Sequence, residues 1–356
     1  MSTEHQDTTG QESQGTPENG AEATPEPSPQ PKRKKPLLPY VLIFIFLATL
    51  IPGPLFMIGL FAKGPLPEEA MIVIPYGTSI QKITELLETR GALVHPLLFR
   101  AAARLIAEDK LKAGEYKISP HLSAVDIATI LRNGEGIMHQ LTIPEGLTSY
   151  EVVGLLNQIE GLRGEIKKVP EEGSLLPETY SYNLNNTRKG LLHRMQKDRD
   201  DVLKALWDKR APNLPLKTAE EAVILASIVE KETGYKAEER PRVAGVFINR
   251  LRIGIALQSD PTVIYAITKG ETPLGRSLIF KDLELNSPYN TYVNAGLPPA
   301  PICNPGKAAL EAVLNPEEND YLYFVADGSG GHAFASSLEE HNRNVAEWRK
   351  IKRLKQ

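Results

Sequence analysis

The sequence predicts an α+β protein in three parts: a single N-terminal transmembrane helix, a small α+β subdomain and a larger α+β domain. Three observations carry this. Leu37 to Ala62 holds no charged side chain; a strand, a turn and a capped helix recur three times between Ile72 and Leu156; and a helical stretch apolar nearly all round follows at Ala222 to Val229. At roughly 100–200 residues per domain, the 356 residues accommodate two domains with appendages.

Composition narrows the chemistry. The formal net charge of -3, from 41 Lys+Arg against 44 Asp+Glu, gives no basic surface for phosphate backbones, so no nucleic-acid partner is expected. The one cysteine, Cys303, excludes an intramolecular disulfide framework and a multi-thiolate zinc or iron-sulfur site. The seven His include no i, i+4 pair and no HExxH, and no metal is expected. A GxxxxGK[ST] loop and a GxGxxG after a strand are both missing, so no nucleotide cofactor is expected.

The first segment, residues 1–36, reads as a disordered cytoplasmic tail. Its first 35 residues contain no Ile, Val, Leu, Phe, Tyr or Trp and close on Lys32-Arg33-Lys34-Lys35, too little apolar surface to offset the entropy of ordering. Residues 37–62 read as the membrane helix. At 1.5 Å per residue a helix of that length spans roughly 39 Å against a hydrocarbon core of about 30 Å. Pro39 suits a first helical turn, whereas Pro52-Gly53-Pro54 should kink the helix from inside. The long polar leader and the lack of a small-x-small cleavage site favour a retained anchor over a cleaved signal peptide. The basic cluster before it places the N-terminus in the cytoplasm and residues 63–356 outside.

The external part begins with Ile72-Val73-Ile74 as a strand and Ser79 capping a helix that carries Ile80, Ile83, Leu86 and Leu87. The same grammar returns with Tyr116-Lys117-Ile118, then Ser123 and Asp126 as a capping box, then Val125, Ile127, Ile130 and Leu131. A third copy has Leu141-Thr142-Ile143, then Thr148 with Glu151, then Val152, Val153, Leu155 and Leu156. The pattern resembles the LysM-like module of cell-wall proteins; a generic small α+β spacer explains it equally well. The small subdomain is placed at 67–140 and the larger domain at 141–356. Leu175 to Tyr180, an aromatic beside a carboxylate, reads as a packed turn rather than a site.

The chemistry centres on the next helix. Thr218-Ala219-Glu220-Glu221 is a capping box, and Ala222 to Val229 lacks a polar face, the mark of a buried helix. Gly234 offers a left-handed cap. Leu225, Val229 and Glu232 (i, i+4, i+7) share a face, so Glu232 points inward from the last turn. Apolar neighbours and the negative end of the helix dipole both raise the pKa of such a carboxyl. A carboxylic acid protonated near neutrality is what a departing glycosidic oxygen needs. The alternative makes Glu230 and Glu232 solvated end-of-helix residues paired with Lys231 or Arg240. Further on, Leu257 to Thr262 and Ser287 to Tyr292 supply amides, carboxylates and tyrosines suited to sugar hydroxyls and ring faces. Tyr321 to Ala326 reads as a core strand turned at Asp327-Gly328. Ser337 with Glu340 caps a terminal helix, and His332 reads as structural.

The strings Ala226 to Thr233, Val246 to Leu251, Leu257 to Thr262, Tyr289 to Tyr292, Gly296-Leu297-Pro298-Pro299 and Tyr321 to His332 together resemble the endolytic murein transglycosylases, the MltG or YceG-like family. The resemblance implies an inner-membrane enzyme with a LysM-like subdomain before a YceG-like catalytic domain. Such an enzyme cuts MurNAc-GlcNAc β-1,4 bonds inside nascent peptidoglycan strands, leaves 1,6-anhydroMurNAc ends and terminates elongation. Carried over by position, the family's essential glutamate is Glu232 rather than Glu230, and Gln258, Asp260, Asn290 and Tyr292 line its cleft. Glycan strands, the membrane and peptidoglycan synthases are the implied partners; no cofactor is implied. The family's aromatic-rich Gly-Trp/Tyr-Phe-x-Pro string is replaced here by Gly173 to Pro177, so no sugar-stacking role is carried to it. Two alternatives stand beside this: a hydrolytic muramidase pairing Glu232 with Asp260 or Glu230, and a noncatalytic peptidoglycan-binding scaffold.

Overall fold

The computed structural model describes residues 36–354 apart from Ile51, Asp109 and Tyr235. The tail expected to be disordered lies, but for Pro36, outside the described residues. The chain divides into two compact units, one ending at Leu55 and the other running from Phe56 onward.

Helices α1 (Leu38–Leu50) and α2 (Pro52–Phe61) make up the apolar run. Leu38–Phe61, 24 residues, is long and apolar enough to cross a membrane. The kink expected around Pro52 falls beside Ile51, outside the described residues.

From Phe56 onward the unit is α+β and holds three cores. In the first, β1 (Ala70–Ile74) is followed by α3 (Ile80–Thr89), α4 (Pro96–Ala107), β2 (Gly114–Ile118) and α5 (Ala124–Asn133). The two strands pair antiparallel, Ala70 opposite Ile118 and Ile74 opposite Gly114. Their alternation turns Ile72, Ile74, Tyr116 and Ile118 inward against Ile83, Leu87, Phe99 and Ile127, all at most 2% exposed. The expected caps are present: Ser79 Oγ accepts from Lys82 N at 3.3 Å, and Ser123 with Asp126 closes a reciprocal box. The sequence pattern gives one helix between the strands, and the structure has two. The second, α4, opens on His95, whose ring nitrogen accepts from Leu97 N at 3.2 Å, with Pro96 in its first turn. Its buried face is Phe99, Ala102, Ala103 and Ala107, an amphipathic pattern that is legible in the sequence.

The third strand–turn–helix copy does not join this sheet. Strand β3 (His139–Thr142), which straddles residue 140, pairs antiparallel with the distant β4 (Thr179–Tyr182), with α6 (Ser149–Gln158) between them. This second core contains Ile143, Val152, Leu156, Leu175 and Tyr180, joined by Leu191 and Met195 of α7 (Arg188–Trp207). Leu175 to Tyr180 is packed but is not the turn the sequence suggests: it runs as irregular chain into β4, Leu175, Leu176 and Tyr180 are buried, and the Tyr180 hydroxyl donates to Leu176 O at 2.9 Å.

The third core is helical. Helix α8 (Ala219–Glu232) is surrounded by α7, α9 (Arg240–Ile253), α10 (Asp260–Thr268) and α12 (Lys307–Leu314); the short α11 (Phe280–Leu283) lies between α10 and α12 in the chain. Leu225 to Val229 are all fully buried, as a helix without a polar face demands. Its capping box is only half formed. Thr218 Oγ1 accepts from Glu221 N at 3.2 Å, but the Glu221 carboxylate takes Lys217 N at 2.5 Å instead of returning to Thr218. The chain ends in the hairpin β5 (Tyr323–Ala326) with β6 (His332–Ala335), followed by α13 (Leu338–Leu354). The strand read from Tyr321 as core is half-buried instead, because it pairs only with β6 and keeps one face toward a cleft. The turn between them is tied by Asp327, whose Oδ1 accepts from Ser329 N at 2.7 Å and Gly331 N at 3.2 Å.

Candidate active site

The last turn of α8 separates two glutamates. The helix stops at Glu232 because Thr233 leaves it with extended backbone (φ -88°, ψ 114°) while its N–H still donates to Val229 O at 3.0 Å. Gly234 is therefore not the left-handed cap that the sequence offers. Two residues of helix rotate a side chain by about 200°, so Glu230 and Glu232 face different surroundings. Glu230 is buried; its carboxylate accepts from Arg240 Nη2 at 3.0 Å and from Gly306 N at 2.9 Å. Arg240 also donates to Glu145 at 3.0 Å, which makes a Glu145–Arg240–Glu230 bridge. The pairing with Arg240 expected of solvated glutamates thus holds for Glu230, but inside the protein and with a structural role.

Glu232 lines a cleft of ≈ 400 Å³ together with Arg250, Gln258, Asp260, Tyr292, Tyr323 and His341. The residue is half-buried, yet protein crowds its carboxyl. Desolvation is the first cause that raises its pKa from 4.5 to about 7; the Asp260 charge adds to the rise, while the Ser259 hydrogen bond and Arg250 oppose it. Ser259 Oγ donates to Glu232 Oε1 at 2.6 Å. No other hydrogen bond to this carboxyl is found among the described residues, so the second oxygen can carry a proton to a group in the cleft.

The segment opposite is held in a strained form. Gln258 has φ +53°, a left-handed conformation unusual for a residue with a Cβ. It is kept there by Gln258 N donating to Thr291 O (3.0 Å) and Ser259 N donating to Thr291 Oγ1 (3.0 Å). Arg250, buried at the foot of the cleft, donates to Leu322 O (2.6 Å), Ala256 O (3.0 Å), Leu257 O (2.9 Å) and Gln258 Oε1 (3.2 Å). It therefore ties α9 to both the strained loop and the hairpin. On the far wall the Tyr292 hydroxyl donates to Asp260 Oδ1 at 2.7 Å. Burial, then this carboxylate, holds the phenol far above its usual range. The His341 ring stacks on Tyr323 with centroids 5.2 Å apart. Burial and then Arg250 hold that imidazole below its ordinary pKa, neutral at pH 7.

Of the residues named from sequence, Glu232, Gln258, Asp260 and Tyr292 meet in this cleft. Asn290 does not. It is fully buried, its amide donates to Leu283 O (2.9 Å) and Leu285 O (2.8 Å), and its Oδ1 accepts from Tyr292 N (2.9 Å). An amide with every group committed has nothing left for a ligand; Asn290 fixes the loop that presents Tyr292. Sequence reasoning missed Ser259, Arg250, Tyr323 and His341. Ser259 stands in a polar string that was noticed. The other three lie on helix and strand faces, where only the tertiary fold shows which side turns to the cleft. Among the described residues no group of three or more His, Cys, Asp or Glu side chains gathers as a metal ion would need. The arrangement offers proton chemistry: a carboxyl raised to about 7, a hydroxyl that orients it, and Asp260 in the same cleft.

The profile of the YceG-like family matches residues 72–347. A protein named endolytic murein transglycosylase from Streptococcus pneumoniae serotype 2 (strain D39 / NCTC 7466) is 32% identical over 364 aligned residues, covering 86% of this chain and 65% of that one. This chain thus spans slightly under two thirds of that relative's length. A protein of the same name from Bacillus subtilis (strain 168) is 31% identical over 330 residues, covering 83% of this chain and 90% of that one. The crystal structure of a YceG-like protein from Listeria monocytogenes is 30% identical, with a TM-score of 0.46, over 78% of this chain and 99% of that one.

Proposed function

The chain belongs to the YceG-like family, and from that premise we propose that it is a membrane-anchored endolytic peptidoglycan lytic transglycosylase with Glu232 as its catalytic acid. The observation that carries the reading is the Glu232 carboxyl, raised to about 7 in an open cleft and fixed by Ser259. Cleaving a MurNAc-GlcNAc β-1,4 bond requires a proton on the leaving oxygen, and a carboxyl with this pKa is both populated as the acid and strong enough to give its proton up. The proton passes from Glu232 to that oxygen as the C1–O bond breaks. The muramoyl 6-hydroxyl then attacks C1, its proton returns to the Glu232 carboxylate, and a 1,6-anhydro ring closes without consuming water. Gln258, Asp260 and Tyr292 contact the sugars flanking the bond. The neutral, aromatic His341–Tyr323 wall offers a ring face to one of them.

The remaining assignments follow the same reading. Leu38–Phe61 anchors the chain in the cytoplasmic membrane, with Lys32 to Lys35 holding the N-terminus inside. Residues 67–140 act as a LysM-like glycan-binding front, supported by two helices enclosed between paired antiparallel strands, and residues 141–356 form the catalytic domain. Cuts within nascent strands terminate their elongation. A hydrolytic mechanism is the second reading, favoured only by Asp260 sharing the cleft with Glu232.

The test is mass spectrometry of uncrosslinked glycan strands treated with the full chain in detergent, beside Glu232→Gln. Products ending in 1,6-anhydromuramic acid, absent with the variant, are expected. Reducing ends would replace the lyase with a hydrolase, and intact strands would leave a scaffold.

A further inference from the structure

A second cavity of ≈ 460 Å³ opens beside the first, lined by Glu151, Lys231, Ile264, Tyr265, Leu274 and Arg276 among others. Its wall is continuous with the catalytic cleft in the chain. Lys231 precedes Glu232 on α8, and Pro261, which also lines this cavity, follows Asp260 on α10. The two cavities therefore flank one ridge made of the end of α8 and the start of α10. The floor is apolar and set in place: Tyr265 packs on Tyr289 with centroids 5.0 Å apart, and Ile264 keeps 36% of its surface exposed.

The charges differ in availability. Arg276 is held by Asp282 through two bonds of 2.6 and 2.9 Å. Glu151 accepts the Thr148 N–H at 2.8 Å as part of the α6 cap. Lys231 is exposed, donates only to Gly146 O at 3.3 Å, and forms no ion pair among the described residues. Of the three charged residues named, Lys231 alone is a cation with no carboxylate partner among the described residues, and it stands over an apolar floor.

We infer that this cavity binds a carboxylate-bearing substituent of the glycan next to the scissile bond, with Lys231 on the carboxylate and Ile264, Tyr265 and Leu274 under its carbon chain. The inference rests on the proposed function for the identity of the strand. Such a contact distinguishes murein, whose alternate sugars carry a lactyl group and its peptide, from an unsubstituted polymer of N-acetylglucosamine.

Binding is measured with full-length Glu232→Gln, which leaves strands intact, against three probes: peptide-bearing murein strands, strands stripped of peptides but retaining the lactyl carboxylate, and chitooligosaccharides without carboxylates. Adding Lys231→Met should weaken binding of the carboxylate-bearing strands about fivefold, with loss of its salt dependence, and leave chitooligosaccharide binding as it was. Ile264→Trp, which fills the cavity from its exposed rim, should do the same without touching the charge. Loss confined to peptide-bearing strands identifies a carboxylate of the stem as the occupant; loss for stripped strands, whose lactyl carboxyl is freed only when its amide to the peptide is removed, identifies the lactyl carboxylate as an occupant. Equal affinities with and without both substitutions, or an equal loss for all three probes, overturns the inference. Cleavage by wild type is read separately, so a failure of the catalytic reading leaves the binding result interpretable.

Discussion

Ser259 sits at the residue before α10, where a serine ordinarily caps its own helix, but its hydroxyl donates to Glu232 Oε1 at 2.6 Å instead. The helix start is stabilised by Pro261 and the acidic Asp260 in its first turn, which frees the hydroxyl to orient the carboxyl. Because that bond favours the ionised form, Ser259→Ala should raise the Glu232 pKa further. The alkaline limb of the cleavage rate moves upward from near pH 7, while kcat falls about tenfold as the carboxyl loses its fixed rotamer. A pH–rate profile of the variant checks both, and a downward move of the limb contradicts the account.

Glu232→Gln should lower the cleavage rate by about 10²–10⁴-fold and change stability in a pH-dependent way. A carboxyl whose folded pKa is about 7 against 4.5 unfolded binds more protons in the folded state between those values, so stability falls as pH rises through that window. The loss is complete above pH 7 and is roughly 1–3 kcal/mol after allowing for solvent in the open cleft. Glutamine has no such dependence. Urea denaturation of both proteins at pH 5 and pH 8.5 should show the variant gaining on wild type at the higher pH; parallel curves would contradict the burial of this charge.

Asn290→Ala should behave as a core substitution. It removes two donors and one acceptor from partly buried backbone groups, a cost of about 1–3 kcal/mol. It also unfastens the Tyr292 N–H, so substrate KM rises while the pH limb set by Glu232 stays in place. Denaturation midpoints and kinetics together separate this from direct substrate contact, in which stability would be unaffected.

What the sequence reveals about this fold tracks the range of the interactions involved. The caps at Ser79, Ser123 and Thr148 are local and readable, since each needs a residue only three positions on. So is the inward face of Glu232, because i, i+4, i+7 spacing fixes it relative to Leu225 and Val229. Pairings across long separations are not local: β3 finds β4 nearly forty residues away, although its own strand–turn–helix unit matches the two before it. The same limit hid Arg250 and His341. Their roles arise where α9 and α13 meet the hairpin, and although Arg250 stands in the Val246 to Leu251 string, only the fold shows that it and His341 reach the cleft.

Glu230 gives the sharpest contrast with its neighbour two residues on. Glu230→Gln keeps the size of the side chain but removes the charge that partners Arg240 and accepts from Gly306 N. Arg240 is then left with the more exposed Glu145 alone, so a largely buried cation loses the buried one of its two carboxylate partners. The variant should lose about 2–4 kcal/mol of stability, read from denaturation curves. Its folded fraction should still cleave glycan with an unshifted alkaline limb, because Glu230 lines no part of the cleft. Loss of cleavage in fully folded protein would bring Glu230 back as the second carboxylate of a hydrolytic pair, and retention of anhydro products would remove it from the mechanism.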